Sequence, residues 1–346
     1  MHNEHRQHRT LVCTVYPERR VRPSGRGSHA CQQSTSPHLL CVSRFIVVFL
    51  MIRCDVDRLG GLVVSDTLYI SGWPASAPHS MTRDVLLAAL QQATRMLFNF
   101  PEHIILEWLS WLMIASGVFV MAALMLGIPA VYGRYTVKSA LVIPARLAWA
   151  VQEFPSFALP LFYITGSQSV PGIIVLLAFL IHYLNRTFIY PFQIKSGNGT
   201  PWYICVSAIV FCTWNGYLQG SYHSQYYQSD GFFSRPLTYL GITVFATGMY
   251  INIWSDSILR NLRKPGETGY KIPYGGMFEY VSGANFFGEI VEWTGYAIVS
   301  GSLPATAFAI FTMCNIGPRA IHHHRWYLSK FPDYPKNRKA IIPFLL

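Results

Sequence analysis

Pro236-Leu-Thr-Tyr-Leu-Gly-Ile-Thr-Val-Phe-Ala-Thr-Gly-Met-Tyr-Ile-Asn-Ile-Trp-Ser-Asp256, followed by Ser257-Ile-Leu-Arg-Asn-Leu-Arg-Lys-Pro-Gly-Glu-Thr-Gly-Tyr-Lys-Ile-Pro273, is the stretch that decides the fold. Its first part is apolar over the length that a bilayer-crossing helix requires, and its second part is polar and cationic. At helical spacing Asn252, Asp256, Arg260 and Arg263 share one face, giving an amide, a carboxylate and two guanidinium groups in order from lipid towards water. That order suits a long anionic ligand with a polar head. Guanidinium forks bind phosphates, while the amide and the carboxylate can grip ribose hydroxyls or a carboxamide. The plainer reading of the arginines is a stop-transfer flank that holds a helix end at the headgroups. Asn252 and Asp256 lie too deep for that role.

The rest of the chain agrees with a membrane setting. Over 346 residues it is 51% hydrophobic and 12% charged, far more apolar than an ordinary soluble domain. The net charge of +11 sits in short loops between apolar runs rather than in one basic patch, which argues for membrane topology and against nucleic acid. Seven cysteines include no Cys-x-x-Cys pair, so neither a disulfide framework nor a zinc site is supported.

From Ile104 onwards the hydropathy divides into seven spans, near 104–131, 145–164, 170–192, 202–220, 236–256, 281–300 and 303–318. The expected fold is all-α, a polytopic bundle of seven transmembrane helices with cytosolic cofactor-binding loops. Residues 1–103 read as an N-terminal extension, largely disordered, with Met81 as an alternative start, ahead of a functional domain over 104–346. Basic residues fall in alternate loops: Arg134, Lys138 and Arg146, then Lys195, then Arg260 to Lys271, then Arg325 to Lys339. The positive-inside rule makes that side, with the C-terminus, cytosolic. The sequon Asn198-Gly199-Thr200 then lies in the cytosol and is expected to be unglycosylated.

Four polar sets interrupt the apolar spans: Gln152 with Glu153, Tyr183 with Arg186, the stripe Asn285, Glu289 and Glu292, and the face Arg319, His323 and Tyr327. Ionisable groups at lipid depth are costly, so together they imply a shared polar cavity. Individual members have structural readings: Glu292 can pair with Arg186 across helices, and Tyr183 can be an interfacial aromatic. His322, His323 and His324 are adjacent on a helix, point about 100° apart, and do not form a metal site.

Four blocks, Asn215-Gly-Tyr-Leu-Gln219, Asn252 to Pro273, Glu279 to Trp293 and His322 to Leu346, resemble the steroid 5-alpha-reductases of vertebrates over roughly residues 104–346. Tyr132-Gly-Arg-Tyr135 is type 1-like, whereas His322-His-His324 is the type 2 form. The resemblance implies an NADPH-dependent enzyme of the endoplasmic reticulum membrane. It would reduce the 4,5 double bond of 3-oxo-Δ4 steroids such as testosterone and progesterone, taking them up from the bilayer. Glu153 and Tyr183 match the family's catalytic pair. They would serve as donors to the C3 oxyanion, with Tyr183 the proton source. By resemblance Arg186, Asn252, Asp256, Arg263, Lys271, Asn285, Glu289, His323 and Tyr327 contact NADPH. Arg263 and Lys271 would lie nearer its phosphates, and Asn285 and Glu289 nearer its nicotinamide. Trp254 stands where the family often has His, and Lys271 where it often has Arg, which keeps the charge and loses the fork. Two rivals keep the fold and change the chemistry: an enoyl thioester reductase and an isoprenylcysteine methyltransferase. A transporter would need internal repeats or matched broken helices, and the sequence has neither.

Overall fold

The computed structural model describes residues 100–128, 141–167, 169–195, 199–228, 230–263, 267 and 269–346. The extension over 1–99 with Met81, the 132–135 motif, Arg134, Lys138, Asn198 and Lys264 lie outside the described residues. Among the described residues the chain is mostly helical. The long helices are α1 (Glu102–Met125), α2 (Ala145–Ile164), α3 (Val170–Leu184), α5 (Trp202–Ser221), α6 (Pro236–Asn261), α7 (Ala284–Ser300) and α8 (Leu303–Lys330). The helix α3 continues through a π-helical turn, Asn185–Ile189, into the short α4, Tyr190–Gln193. The cause is local: Pro191 has no N–H to offer the Thr187 carbonyl, so the regular ladder cannot continue across this point. The described residues also include a pair of two-residue strands, β1 (Val142–Ile143) antiparallel to β2 (Thr200–Pro201), and a single bridge between Val281 and Lys339.

Sequence periodicity sets the helix count, and hydrogen bonds between distant segments set their directions. At one end of the bundle Ser221 Oγ donates to Glu102 at 2.8 Å, Arg235 Nη2 donates to the Val299 carbonyl at 3.1 Å, and Tyr227 donates to Ser300 at 2.9 Å. At the other end Arg146 Nε donates to the Ile194 carbonyl at 2.8 Å and Lys195 donates to Asn261 at 2.8 Å. The chain therefore runs alternately between two poles, and the second is the basic one. Three segments, Glu102–Met125, Val170–Gln193 and Pro236–Asn261, are long and apolar enough to cross a membrane. The others are shorter or carry more polar groups; α7 has only 17 residues and includes Glu289 and Glu292. Helix α8 extends twelve residues past the expected span end at 318, since nothing after the apolar part breaks its helical pattern until Phe331.

Most of α1 shows its apolar side chains outward, with Trp108 and Phe119 more than two-thirds exposed, as lipid contact requires. The interior is aromatic: Trp293 is buried against Phe308 at 4.4 Å and Phe179 at 5.6 Å between ring centroids. The tightest seam joins α6 and α7. A Cβ on Gly248 would fall inside the backbone of Glu292, and one on Gly288 inside that of Asn252. Glycine at those points lets the two antiparallel backbones touch, as small residues do between helices in lipid. This contact sets the site, because Asn252 and Asp256 follow Gly248 on α6 while Asn285 and Glu289 flank Gly288 on α7.

Candidate active site

The α6–α7 seam brings the Asn252 and Asp256 face of α6 against the Asn285 and Glu289 stripe of α7. Asn252 Nδ2 donates to the Asn285 carbonyl at 2.9 Å, and Asn285 Nδ2 donates to Asp256 Oδ1 at 3.2 Å. The second Asp256 oxygen takes Arg186 Nη1 at 3.2 Å, an ion pair that is about nine-tenths buried. Arg186 sits on the π-helical turn, and its guanidinium lies 4.7 Å from the Trp149 ring and 4.5 Å from the Tyr190 ring. Two aromatic faces and a carboxylate thus fix the cation in place.

The second half of the site lies on α2, α3 and α5. Glu153 Oε1 is 3.4 Å from the Gln152 amide, and Glu153 Oε2 is 3.7 Å from Cys212 Sγ. Pro155 and Pro160 interrupt α2 just beyond it, and Gly216 of α5 meets the backbone of Pro155 and Ser156, so α2 and α5 also pack closely here. The Tyr183 hydroxyl accepts from Asn215 at 3.5 Å. Behind Asn215 runs a buried amide chain: Gln219 donates to Asn215 at 3.2 Å and to the Pro304 carbonyl at 3.0 Å, and Tyr296 donates to Gln219 at 3.2 Å. Such a satisfied network rigidifies whatever it holds.

Arg186 links the halves: it follows Tyr183 by three residues, packs on Trp149 one turn before Glu153, and pairs with Asp256, while Glu153 and Tyr183 meet Cys212 and Asn215, three residues apart on α5. Six of the residues singled out from sequence, Glu153, Tyr183, Arg186, Asn252, Asp256 and Asn285, are thereby brought together, and Glu289 follows Asn285 by one turn of α7. A cavity of about 260 Å³ is lined by Asn185, Tyr190, Trp254, Asp256 and Arg260, so of the residues brought together only Asp256 reaches it. Arg263 and Lys271 are not drawn into that group. At the basic pole the half-buried Arg263 donates from Nη1 to the Gly269 carbonyl at 3.5 Å, and the exposed Lys271 pairs with Glu267. His323 and Tyr327 lie on α8, the former 5.5 Å from the Phe286 ring and the latter stacked on Tyr334 at 5.1 Å.

The C-terminal segment closes this pole. Ser282 N donates to the Lys339 carbonyl at 2.8 Å, and Lys339 N donates to Tyr280 at 2.9 Å. The Ser282 hydroxyl reaches His324 Nδ1 at 2.6 Å and Tyr334 at 2.7 Å. Burial, reinforced by the Lys339 charge, holds the His324 imidazole below its usual range, so at neutral pH its Nδ1 can accept from Ser282.

Glu292 corrects one alternative. It does not pair with Arg186, whose carboxylate partner is Asp256; Glu292 Oε1 instead meets His182 Nδ1 at 2.7 Å. Helical spacing places residues on a face but cannot say which neighbour meets that face. The sequence reading gave His182, Asn215 and Gln219 no role in the site, although Asn215 and Gln219 are an i, i+4 polar pair within an apolar helix, the same signal that exposed the other stripes.

Comparison with known proteins adds a family. Residues 198–346 match the family model described as 3-oxo-5-alpha-steroid 4-dehydrogenase. The bovine (Bos taurus) 3-oxo-5-alpha-steroid 4-dehydrogenase 1 is 50% identical over 258 residues, which cover 72% of this chain and 100% of the relative. The human (Homo sapiens) type 1 protein is 54% identical over 223 residues, 62% of this chain and 86% of the relative. The human type 2 protein is 48% identical over 233 residues, 64% of this chain and 91% of the relative.

Proposed function

The chain belongs to the 3-oxo-5-alpha-steroid 4-dehydrogenase family, and on that premise we propose that it uses NADPH to reduce the 4,5 double bond of 3-oxo-Δ4 steroids, testosterone and progesterone among them. The observation that supports the site assignment is the place of Arg186, which pairs with Asp256 on one side and packs on Trp149, one turn from Glu153, on the other.

The donor set fits a nicotinamide dinucleotide. Arg186, Arg263 and Lys271 offer cations for phosphates, while Asp256, Asn252 and Asn285 offer the carboxylate and amides that ribose hydroxyls and a carboxamide require. Glu289, His323 and Tyr327 complete the proposed cofactor set. NADPH, when bound, supplies the hydride. The side chains supply the rest. As C5 gains hydrogen, negative charge moves through the enone to the C3 oxygen, and Glu153 and Tyr183 act there as hydrogen-bond donors. Tyr183 then gives a proton towards C4, its O–H bond breaking as the C4–H bond forms. Phe179 and Trp293 pack beside the Tyr183 ring and fix its position.

In this reading all seven long helices cross the endoplasmic reticulum membrane, the basic pole and the C-terminus face the cytosol, and the steroid enters from the bilayer. The test is an assay of microsomes that express the chain, supplied with NADPH and labelled testosterone. The expected product is the 5-alpha-dihydro steroid. Oxidation of NADPH with an enoyl thioester but not with any 3-oxo-Δ4 steroid would overturn the assignment.

A further inference from the structure

The His182–Glu292 pair sits beside the proposed chemistry and takes no part in it as described so far. His182 Nδ1 and Glu292 Oε1 are 2.7 Å apart, with 5% and 0% of their side-chain surfaces exposed. The imidazole lies 5.1 Å from the Tyr183 ring, roughly edge-on, and 4.5 Å from the Trp293 ring. The other Glu292 oxygen, Oε2, is buried without a hydrogen-bond partner. A buried pair that served stability alone would be expected to satisfy both oxygens, because an orphaned buried acceptor is costly. An imidazole oriented by a carboxylate, with a donor–acceptor tyrosine next to it, is instead the arrangement that stores and passes a proton.

We propose that His182 and Glu292 form a proton-relay pair that returns a proton to Tyr183 after each turnover. The inference rests on the reductase reading above. Once the Tyr183 O–H bond has broken, a phenolate remains in an interior that already holds Glu153 and Glu289. The imidazolium of His182 gives up a ring N–H proton through one bridging water, and the Tyr183 O–H bond re-forms. The phenolate's negative charge then passes to the pair, as neutral imidazole held by the Glu292 carboxylate. A proton from solvent restores the imidazolium, which balances the one proton consumed per steroid reduced. The titratable and charged groups facing the pair are Tyr183 and Arg186 from its own segment, Glu153 from α2 and Glu289 from α7. His182 is a relay residue in this scheme, since it acts through Tyr183.

The experiment compares the full-length wild type with His182→Gln and Glu292→Gln in detergent, measuring thermal stability, NADPH affinity, the pH profile of kcat and the solvent deuterium isotope effect on kcat. We expect folded variants with NADPH affinity within about twofold of wild type. We also expect kcat to be at least about tenfold lower, with a larger solvent isotope effect, a shifted pH profile and partial rescue of His182→Gln by added imidazole. Lower kcat with an unchanged pH profile, an unchanged isotope effect and no rescue would assign the pair to packing and overturn the relay. So would wild-type kcat in both variants, or failure of both to fold. A wild type inactive on every 3-oxo-Δ4 steroid would instead strike the reductase reading, so the two failures are separable.

Discussion

Tyr183 accepts its hydrogen bond from Asn215, so that bond leaves the phenol's own proton to be given away. Its ring is fixed independently, 4.6 Å from Phe179. Removing the hydroxyl while keeping the ring therefore isolates its chemical role. For Tyr183→Phe, kcat on testosterone is expected to fall about 100-fold or more, the scale of losing one donor to a developing oxyanion, with NADPH affinity nearly unchanged. Glu153→Gln should behave similarly. The opposite split is expected at the rim: Arg263 is only half-buried, so Arg263→Ala should raise the NADPH Kd by about fivefold, on the scale of an ion pair at the surface, and leave kcat near wild type. Steady-state turnover and a fluorescence titration of NADPH separate the two effects. Full activity in Tyr183→Phe would remove Tyr183 from the oxyanion site.

At the scale of elements, the helices were legible because hydrophobic run length reports directly on burial in lipid, and each polar stripe was legible because it lies within one helix. Partners across helices were not. His182 with Glu292 and Arg186 with Asp256 depend on which helices are neighbours, and on the π-helical turn that re-aims Arg186. One signal was readable and passed over: Gly241 and Gly248 on α6, and Gly288 and Gly295 on α7, are each seven residues apart, the spacing that keeps small residues on one seam. This seam positions Asn252 opposite Gly288, so a side chain there should harm both stability and cofactor binding. Gly248→Ala is expected to destabilise the protein by about 1–3 kcal/mol and to weaken NADPH binding as Asn252 and Asp256 shift against α7. Gly317→Ala is the control, since no heavy atom lies within 4 Å of the added methyl and the helix favours alanine. Equal melting temperatures for the two variants would mean that the seam yields without strain.

For the whole molecule the question is which pole faces the cytosol. Hydrogen bonds gather the start of α2, the ends of α4 and α6, and the C-terminal segment at one pole, and that pole carries Arg146, Lys195, Arg260, Arg263 and Lys271. Glu102, Ser221 and the end of α7 gather at the other, where Arg235 is held by the Val299 carbonyl. Cations are retained on the cytosolic side during insertion, so this asymmetry supports the proposed orientation. In that orientation a water-soluble dinucleotide would reach Arg263 and Lys271 from the compartment in which it is dissolved. In sequence, the sequon at Asn198 falls between Lys195 and β2. In intact microsomes the chain should show no glycosidase-sensitive mass shift, and an epitope placed after Leu346 should be removed by added protease without permeabilisation. A shift abolished by Asn198→Gln, or an epitope protected until detergent is added, would invert the bundle and put the proposed cofactor pole in the lumen.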